Sequence, residues 1–210
     1  ATFDLRRRRD RLSLAMVIAI DNSGSMGVEV SPGRNKLDLA NEAAARSALL
    51  LSVNDRVGVM HVDTAVHWTQ AMTSVQQPED IAAAVRRAQV GGGGIFVDIT
   101  LEASYAALSA ESTQLRHLLL FSDGDDSEEM TRAHALVQNA ATAAGGEITT
   151  SIVSMGNGVD TPQLERLSTL GGGRFYIVED MTELPRIFTQ ETIEASRSAL
   201  RREPTPVSLG

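Results

Sequence analysis

Three oxygen-bearing side chains at alternate positions, Asp21, Ser23 and Ser25, are the first residues in the chain whose types and spacing could do chemistry. In an extended loop, alternation throws the side chains to one side, and Gly24 lets the backbone curl until their oxygens converge. A second aspartate, Asp123, closes another apolar run in Ser122-Asp123-Gly124. One carboxylate from each loop and two hydroxyls make an oxygen-only set. That set suits a hard cation, Mg²⁺ or Mn²⁺ with Ca²⁺ as a third candidate, rather than zinc or copper. Taken singly, Asp, Ser and Gly after a strand are ordinary turn residues. The pairing of two such strand ends carries the metal reading.

Other chemistries fit less well. Gly91–Gly94 could cradle a phosphate, but the run follows a helical stretch and lacks the Gly-Lys-Ser/Thr of a P-loop. An aspartyl phosphotransferase would want a second acid two residues after Asp21, where Ser23 stands. Gly24-Ser25-Met26-Gly27 misses the serine-hydrolase elbow by one residue. His61, His67, His117 and His134 are scattered with no ligand spacing, which suits packing or surface positions. Gly124-Asp125-Asp126 has no palm-like strand–turn–strand around it, and the acids of 123–129 read as a helix start that deepens the negative field. A metal-dependent hydrolase or phosphotransferase is the alternative function; the expectation is no enzymatic activity.

These residues need elements to position them. Apolar runs of strand length alternate with stretches of helical spacing, the pattern of an α/β protein with helices on both faces of a mostly parallel sheet. The segment 12–20 (LSLAMVIAI) reads as a central strand buried on both faces. Leu37, Ala40, Ala44, Ala48 and Leu51 recur at helical spacing. Strands are expected at 56–62 and 65–69, joined by a hairpin at Asp63-Thr64 that makes one antiparallel edge strand. Further on, helices are expected at 78–89, 97–108, 128–143, 161–170 and 184–200, with strands at 117–121, 148–154 and 174–178. Ligands of open α/β sheets sit beyond the carboxyl ends of the strands, where both aspartates fall.

Composition narrows the class. The 210 residues include no cysteine, which removes thiolate metal sites and cysteine nucleophiles. Lys+Arg 19 against Asp+Glu 27 gives net −8, a balance that argues against nucleic acid as a partner. Residues 1–11 run the other way, with Arg6, Arg7, Arg8, Arg9 and Arg11 against Asp4 and Asp10, and read as a basic linker flank. No run reaches the ~18 apolar residues of a membrane span, so no membrane contact is expected from this segment itself. The first residues and 203–210, with Pro204 and Pro206, read as cut ends of a domain from a longer protein.

Ile20–Met26 (IDNSGSM), Leu120–Gly124 (LFSDG) and Asp55–Val59 (DRVGV) together resemble the von Willebrand factor type A domain with its metal-ion-dependent adhesion site (MIDAS). Gly171–Val178 (GGGRFYIV), Leu184–Phe188 (LPRIF) and 191–200 resemble more narrowly the type A domain of large membrane-anchored bacterial proteins that also carry a glutamine-amidotransferase-like domain. The resemblance implies a Rossmann-like domain over 12–200, flanked by linkers at 1–11 and 201–210. It implies a non-enzymatic module that binds a partner protein, or another domain of its parent chain, through an acidic side chain completing the metal shell. Met26, Ile95 and Phe96 would then form an apolar rim, and the last helix is the element that could move. One departure stands out: Gly94 occupies the place of a threonine that normally lends the metal a hydroxyl. Water, a backbone carbonyl or a residue further on must take that vertex; Asp98 is a candidate, its other reading being a solvent-facing acid or one that pairs with the helix dipole.

Overall fold

The computed structural model describes residues 12–124, 127–128, 130–143 and 147–197. The basic flank 1–11, the acids Asp125, Asp126 and Glu129, and the C-terminal flank 201–210 lie outside the described residues, as does the end of the helix expected to reach 200.

Strand β1 (Leu14–Asp21) leads into a 3₁₀ turn (Gly24–Gly27), and β2 (Glu29–Ser31) and β3 (Arg34–Asn35) form a small hairpin before helix α1 (Lys36–Leu50). Next come β4 (Arg56–Val62), β5 (Val66–Ser74), α2 (Pro78–Arg86), β6 (Ile95–Phe96), α3 (Val97–Ser109), β7 (Leu115–Ser122) and β8 (Ser127–Glu128). The chain continues through α4 (Ala133–Ala141), β9 (Thr149–Met155), α5 (Thr161–Leu170), β10 (Gly172–Val178) and α6 (Leu184–Arg197). Six strands make the main sheet in the order β10-β9-β7-β1-β4-β5. Every neighbouring pair is parallel except β4 with β5.

Every residue of β1 is buried, as its unbroken apolar run requires for a strand covered on both faces. The two-residue side-chain period splits it between two cores. Met16, Ile18 and Ile20 pack with Leu37, Ala40 and Ala44 of α1, Ile81 and Val85 of α2, and Phe188 of α6. Ala15, Val17 and Ala19 face Leu101 and Leu108 of α3, Val137 of α4 and Leu164 of α5. Helix α1 starts where a capping box fixes it: Asn35 Oδ1 accepts the Asp38 N–H at 2.8 Å, and Asp38 Oδ2 accepts the Asn35 N–H at 2.9 Å. Phe121 of β7 meets Phe188 of α6 edge-on, with centroids 5.4 Å apart. Among the described residues no helix is long and apolar enough to cross a membrane.

Three boundaries within the described residues differ from the sequence reading by three residues or more. Strand β5 runs to Ser74, because its half-exposed edge position needs no clean apolar alternation. Helix α2 stops at Arg86, three residues before Gln89. Helix α4 begins at Ala133, since Ser127 and Glu128 are drawn into pairing with β6.

His61 is interior packing. Its Nε2 lies 2.7 Å from Asn41 Oδ1 of α1 and its Nδ1 lies 2.6 Å from Thr69 Oγ1 of β5. Because Asn41 Oδ1 only accepts, Nε2 carries the proton and Nδ1 receives the threonine hydroxyl. Burial, reinforced by the nearby His67, pushes the imidazole down to about 4 from 6.5. Stability should be intact above about pH 6.5 and fall as pH drops toward 4, by at most about 3 kcal/mol, since the unfolded chain takes up the proton first. Urea midpoints measured from pH 7 to 4.5 on wild type and His61→Gln check this; parallel curves would refute it.

Candidate metal centre

After β1 the chain moves to β4 and β5 on one side and returns to β7 on the other, so the strand order switches between β1 and β7. These two strands are parallel and in register, with Ile20 beside Phe121, and their ends deliver Asp21 and Asp123 to the same level. Both carboxylates are buried, Asp21 at 0% and Asp123 at 3% exposure. Asp21 Oδ1 accepts the Ser23 N–H at 2.8 Å, and Oδ2 accepts the Asp123 N–H at 3.4 Å. The hydroxyls of Ser23 and Ser25 lie 2.9 Å apart. The structure thus brings Asp21, Ser23, Ser25 and Asp123 into one hydrogen-bonded group.

Burial pushes the Asp21 carboxyl up to about 6; the Ser23 hydroxyl and amide pull it down, and the Asp123 charge adds to the rise. A carboxylate destabilised in this way gains from any positive charge brought to it. One is present: Lys36 Nζ stands 3.2 Å from Asp123 Oδ2. Sequence reasoning missed Lys36. Its one signal was a lysine opening a helix, where the dipole favours acids.

The glycine run lines the first loop with backbone. Gly24 N–H donates to Gly93 O at 3.1 Å, Gly91 N–H to Asn22 O at 3.1 Å, and Asn22 N–H to Val62 O at 2.8 Å. A side chain at Gly91 would put its Cβ 2.5 Å from Asp63 Oδ2 and 2.8 Å from Asn22 Nδ2. Gly93 holds φ +75, a left-handed conformation that glycine adopts without cost. The run is therefore a close-fitting wall. Gly94, buried within it, brings no hydroxyl.

The expected apolar rim is largely wrong. Met26 and Ile95 are fully buried, in the α1-side and α3-side cores respectively, because the 3₁₀ turn aims Met26 inward and β6 tucks Ile95 beneath the loops. Only Phe96 keeps partial exposure. Exposed apolar residues near the centre are instead Val28 (54%), just after the 3₁₀ turn, and Val159 (84%). Val159 belongs to the loop whose Asp160 N–H donates to Gly124 O at 3.0 Å. Asp98 is buried, and its Oδ2 accepts from Arg132 N–H at 2.9 Å and from the Thr131 hydroxyl at 3.2 Å. It ties the start of α3 to the segment before α4. Its Oδ1 is buried with no hydrogen-bond partner among the described residues.

The donor chemistry fits a hard cation, with two carboxylates, two hydroxyls and no imidazole or thiolate. Among the described residues no group of three or more His, Cys, Asp or Glu could hold a metal, so the hydroxyls are indispensable to that fit.

The profile of the von Willebrand factor type A domain matches residues 15–190, and the chain belongs to that family. Among solved structures it is similar to the conserved hypothetical protein BatB from Bacteroides thetaiotaomicron, with TM-score 0.73, 15% identity, and 88% of this chain and 99% of that one covered. An aerotolerance-related membrane protein from Bacteroides fragilis gives TM-score 0.70 at 13% identity, covering 86% of this chain and 99% of its own. Proximal thread matrix protein 1 from the mussel byssus, solved with a zinc-occupied MIDAS motif, gives 0.75 at 12% identity over 89% of this chain and 46% of its own. The comparison with curated proteins found no match. Domains of this family are generally non-enzymatic modules of protein–protein interaction.

Proposed function

We propose that this domain binds a partner protein, or another domain of its parent chain, through a divalent cation held by Asp21, Ser23, Ser25 and Asp123. The observation that carries the reading is the delivery of two buried carboxylates to one point by adjacent parallel strands, with the two serine hydroxyls beside them. Two carboxylates supply two negative charges, so a divalent ion there is no more than neutralised and keeps an attraction for a carboxylate on the partner. Mg²⁺ or Mn²⁺ is favoured over the zinc of the mussel protein, because this set lacks nitrogen and sulfur ligands. Water or a backbone carbonyl takes the vertex that Gly94 leaves, while Asp98, with Oδ2 engaged, holds the segment before α4. Phe96, Val28 and Val159 supply the apolar part of the contact. The reading extends to a domain of a membrane-anchored bacterial protein, supported by the similarity to the Bacteroides membrane protein.

Calorimetric titration of Mn²⁺ into wild type and into Ser23→Ala plus Ser25→Ala tests this. Wild type should bind, and the double variant should bind at least tenfold more weakly, the loss expected when two of four protein ligands go. Equal, negligible heats from both would overturn the metal centre.

A further inference from the structure

Lys36 opens α1, and nothing in the helix explains a lysine there. The positive end of the helix dipole disfavours a cation in the first turn, where Asp38 already supplies the favourable charge. Its position is nevertheless fixed. The Asn35–Asp38 capping box sets where the helix starts, and the Lys36 N–H donates to Val28 O at 3.1 Å, joining the helix to the segment that follows the first loop. The side chain then reaches across to Asp123 Oδ2, with 22% of its own surface exposed and 1% of the aspartate's.

That oxygen belongs to the carboxylate pair to which the proposed function assigns a divalent cation. An ammonium within hydrogen-bond distance of Oδ2 uses the lone pairs a metal would need and places a like charge beside it. We propose that Lys36 is a tethered competitor for the metal: cation binding at this centre is an exchange in which the ammonium leaves Asp123, and Lys36 sets the affinity. Lysine suits the task, because four rotatable carbons let it withdraw to solvent, whereas a guanidinium would grip the carboxylate with two bonds. The released ammonium stays at the edge of the centre. This inference rests on the metal reading above.

The test is Mn²⁺ calorimetry on wild type, Lys36→Met and Lys36→Gln, with melting temperatures recorded in chelator and in saturating Mn²⁺. Both variants should bind Mn²⁺ roughly tenfold tighter than wild type, the effect of removing a charge-assisted bond and its repulsion. In chelator they should melt below wild type, and saturating Mn²⁺ should close that gap. Binding at wild-type affinity, or weaker, by a folded variant overturns the role of Lys36 and leaves the metal centre standing. Binding by none of the three proteins overturns both. Lys36→Gln keeps the test decisive should the methionine variant fail to fold.

Discussion

Replacing Glu191 with alanine is expected to lower the unfolding free energy by about 3 kcal/mol, the cost of leaving the buried donors that converge on its carboxylate without an acceptor. Glu191 lies on α6 with no exposed surface. Its Oε1 accepts from the Ser151 hydroxyl at 2.6 Å and from the Arg174 guanidinium at 3.1 Å; its Oε2 accepts from Arg174 Nε at 2.8 Å and from the Tyr176 hydroxyl at 2.7 Å. His117 Nε2 stands 3.2 Å from Oε1, close enough for an ion pair without being an aligned hydrogen bond. Burial alone would push this carboxyl up, but His117, Arg174 and Ser151 hold it far below the usual carboxylate range. In turn, burial and the Glu191 charge push the Tyr176 phenol up to about 12. A depressed carboxyl contributes its stability above the unfolded value near 4.5 and loses it as pH falls below that. Urea unfolding of Glu191→Ala at pH 7 measures the effect. Arg174 is partly exposed and can turn to water, so the loss comes chiefly from His117 and Ser151. A change under 1 kcal/mol would show that the group contributes no net stability.

Gly173→Ala should be comparably severe, at about 3 kcal/mol or more, or should prevent folding outright, as overpacking against fixed backbone does. Its Cβ would collide with the backbone carbonyl group of Thr150 and lie 2.7 Å from Ser151 Oγ. Backbone of a central strand cannot step aside as the end of a flexible side chain can. This close approach sits where the β9–β10 register shifts, and it lets the Arg174 N–H reach Ser151 Oγ at 2.9 Å. The Ser151 hydroxyl in turn donates a hydrogen bond to Glu191 Oε1 at 2.6 Å. The control is Gly92→Ala, where a Cβ would meet nothing within 4 Å. That variant should stay within about 0.5 kcal/mol of wild type. Thermal melts of the two variants side by side decide the matter, and equal melting temperatures would refute the argument.

The parallel sheet was legible in the sequence because burial on both faces leaves an unmistakable mark: β1 is an unbroken apolar run up to Asp21, and the apolar stretch 118–121 of β7 leads through Ser122 to Asp123. The loop oxygens at 21, 23, 25 and 123 were legible for the same reason, since their place follows from the strands that end there. What local pattern cannot carry is the partner of a buried charge. Glu191 reads as one acid in an amphipathic helix until the fold brings up donors from three strands. Lys36 finds Asp123 across 87 residues of chain, and the capping box that aims it gives no hint of the target. Met26 and Ile95 stand beside loop residues in sequence, and local pattern does not say which way such side chains turn. A tight turn sends a large apolar side chain inward even at the sheet's edge. Asp98 stands in the first turn of α3, yet its hydrogen bonds lie in the segment before α4.

Asn22 stands where three segments meet, giving its N–H to β4 and taking the Gly91 N–H on its carbonyl, while Gly24 donates to Gly93. The order of the loop 21–25 is thus set by the fold itself and does not wait for a ligand. Whatever docks there meets a preorganised surface, and the conformational entropy that an open loop would surrender on association has already been lost. Recognition at this edge should accordingly depend on charge and fit more than on how much chain must be stilled.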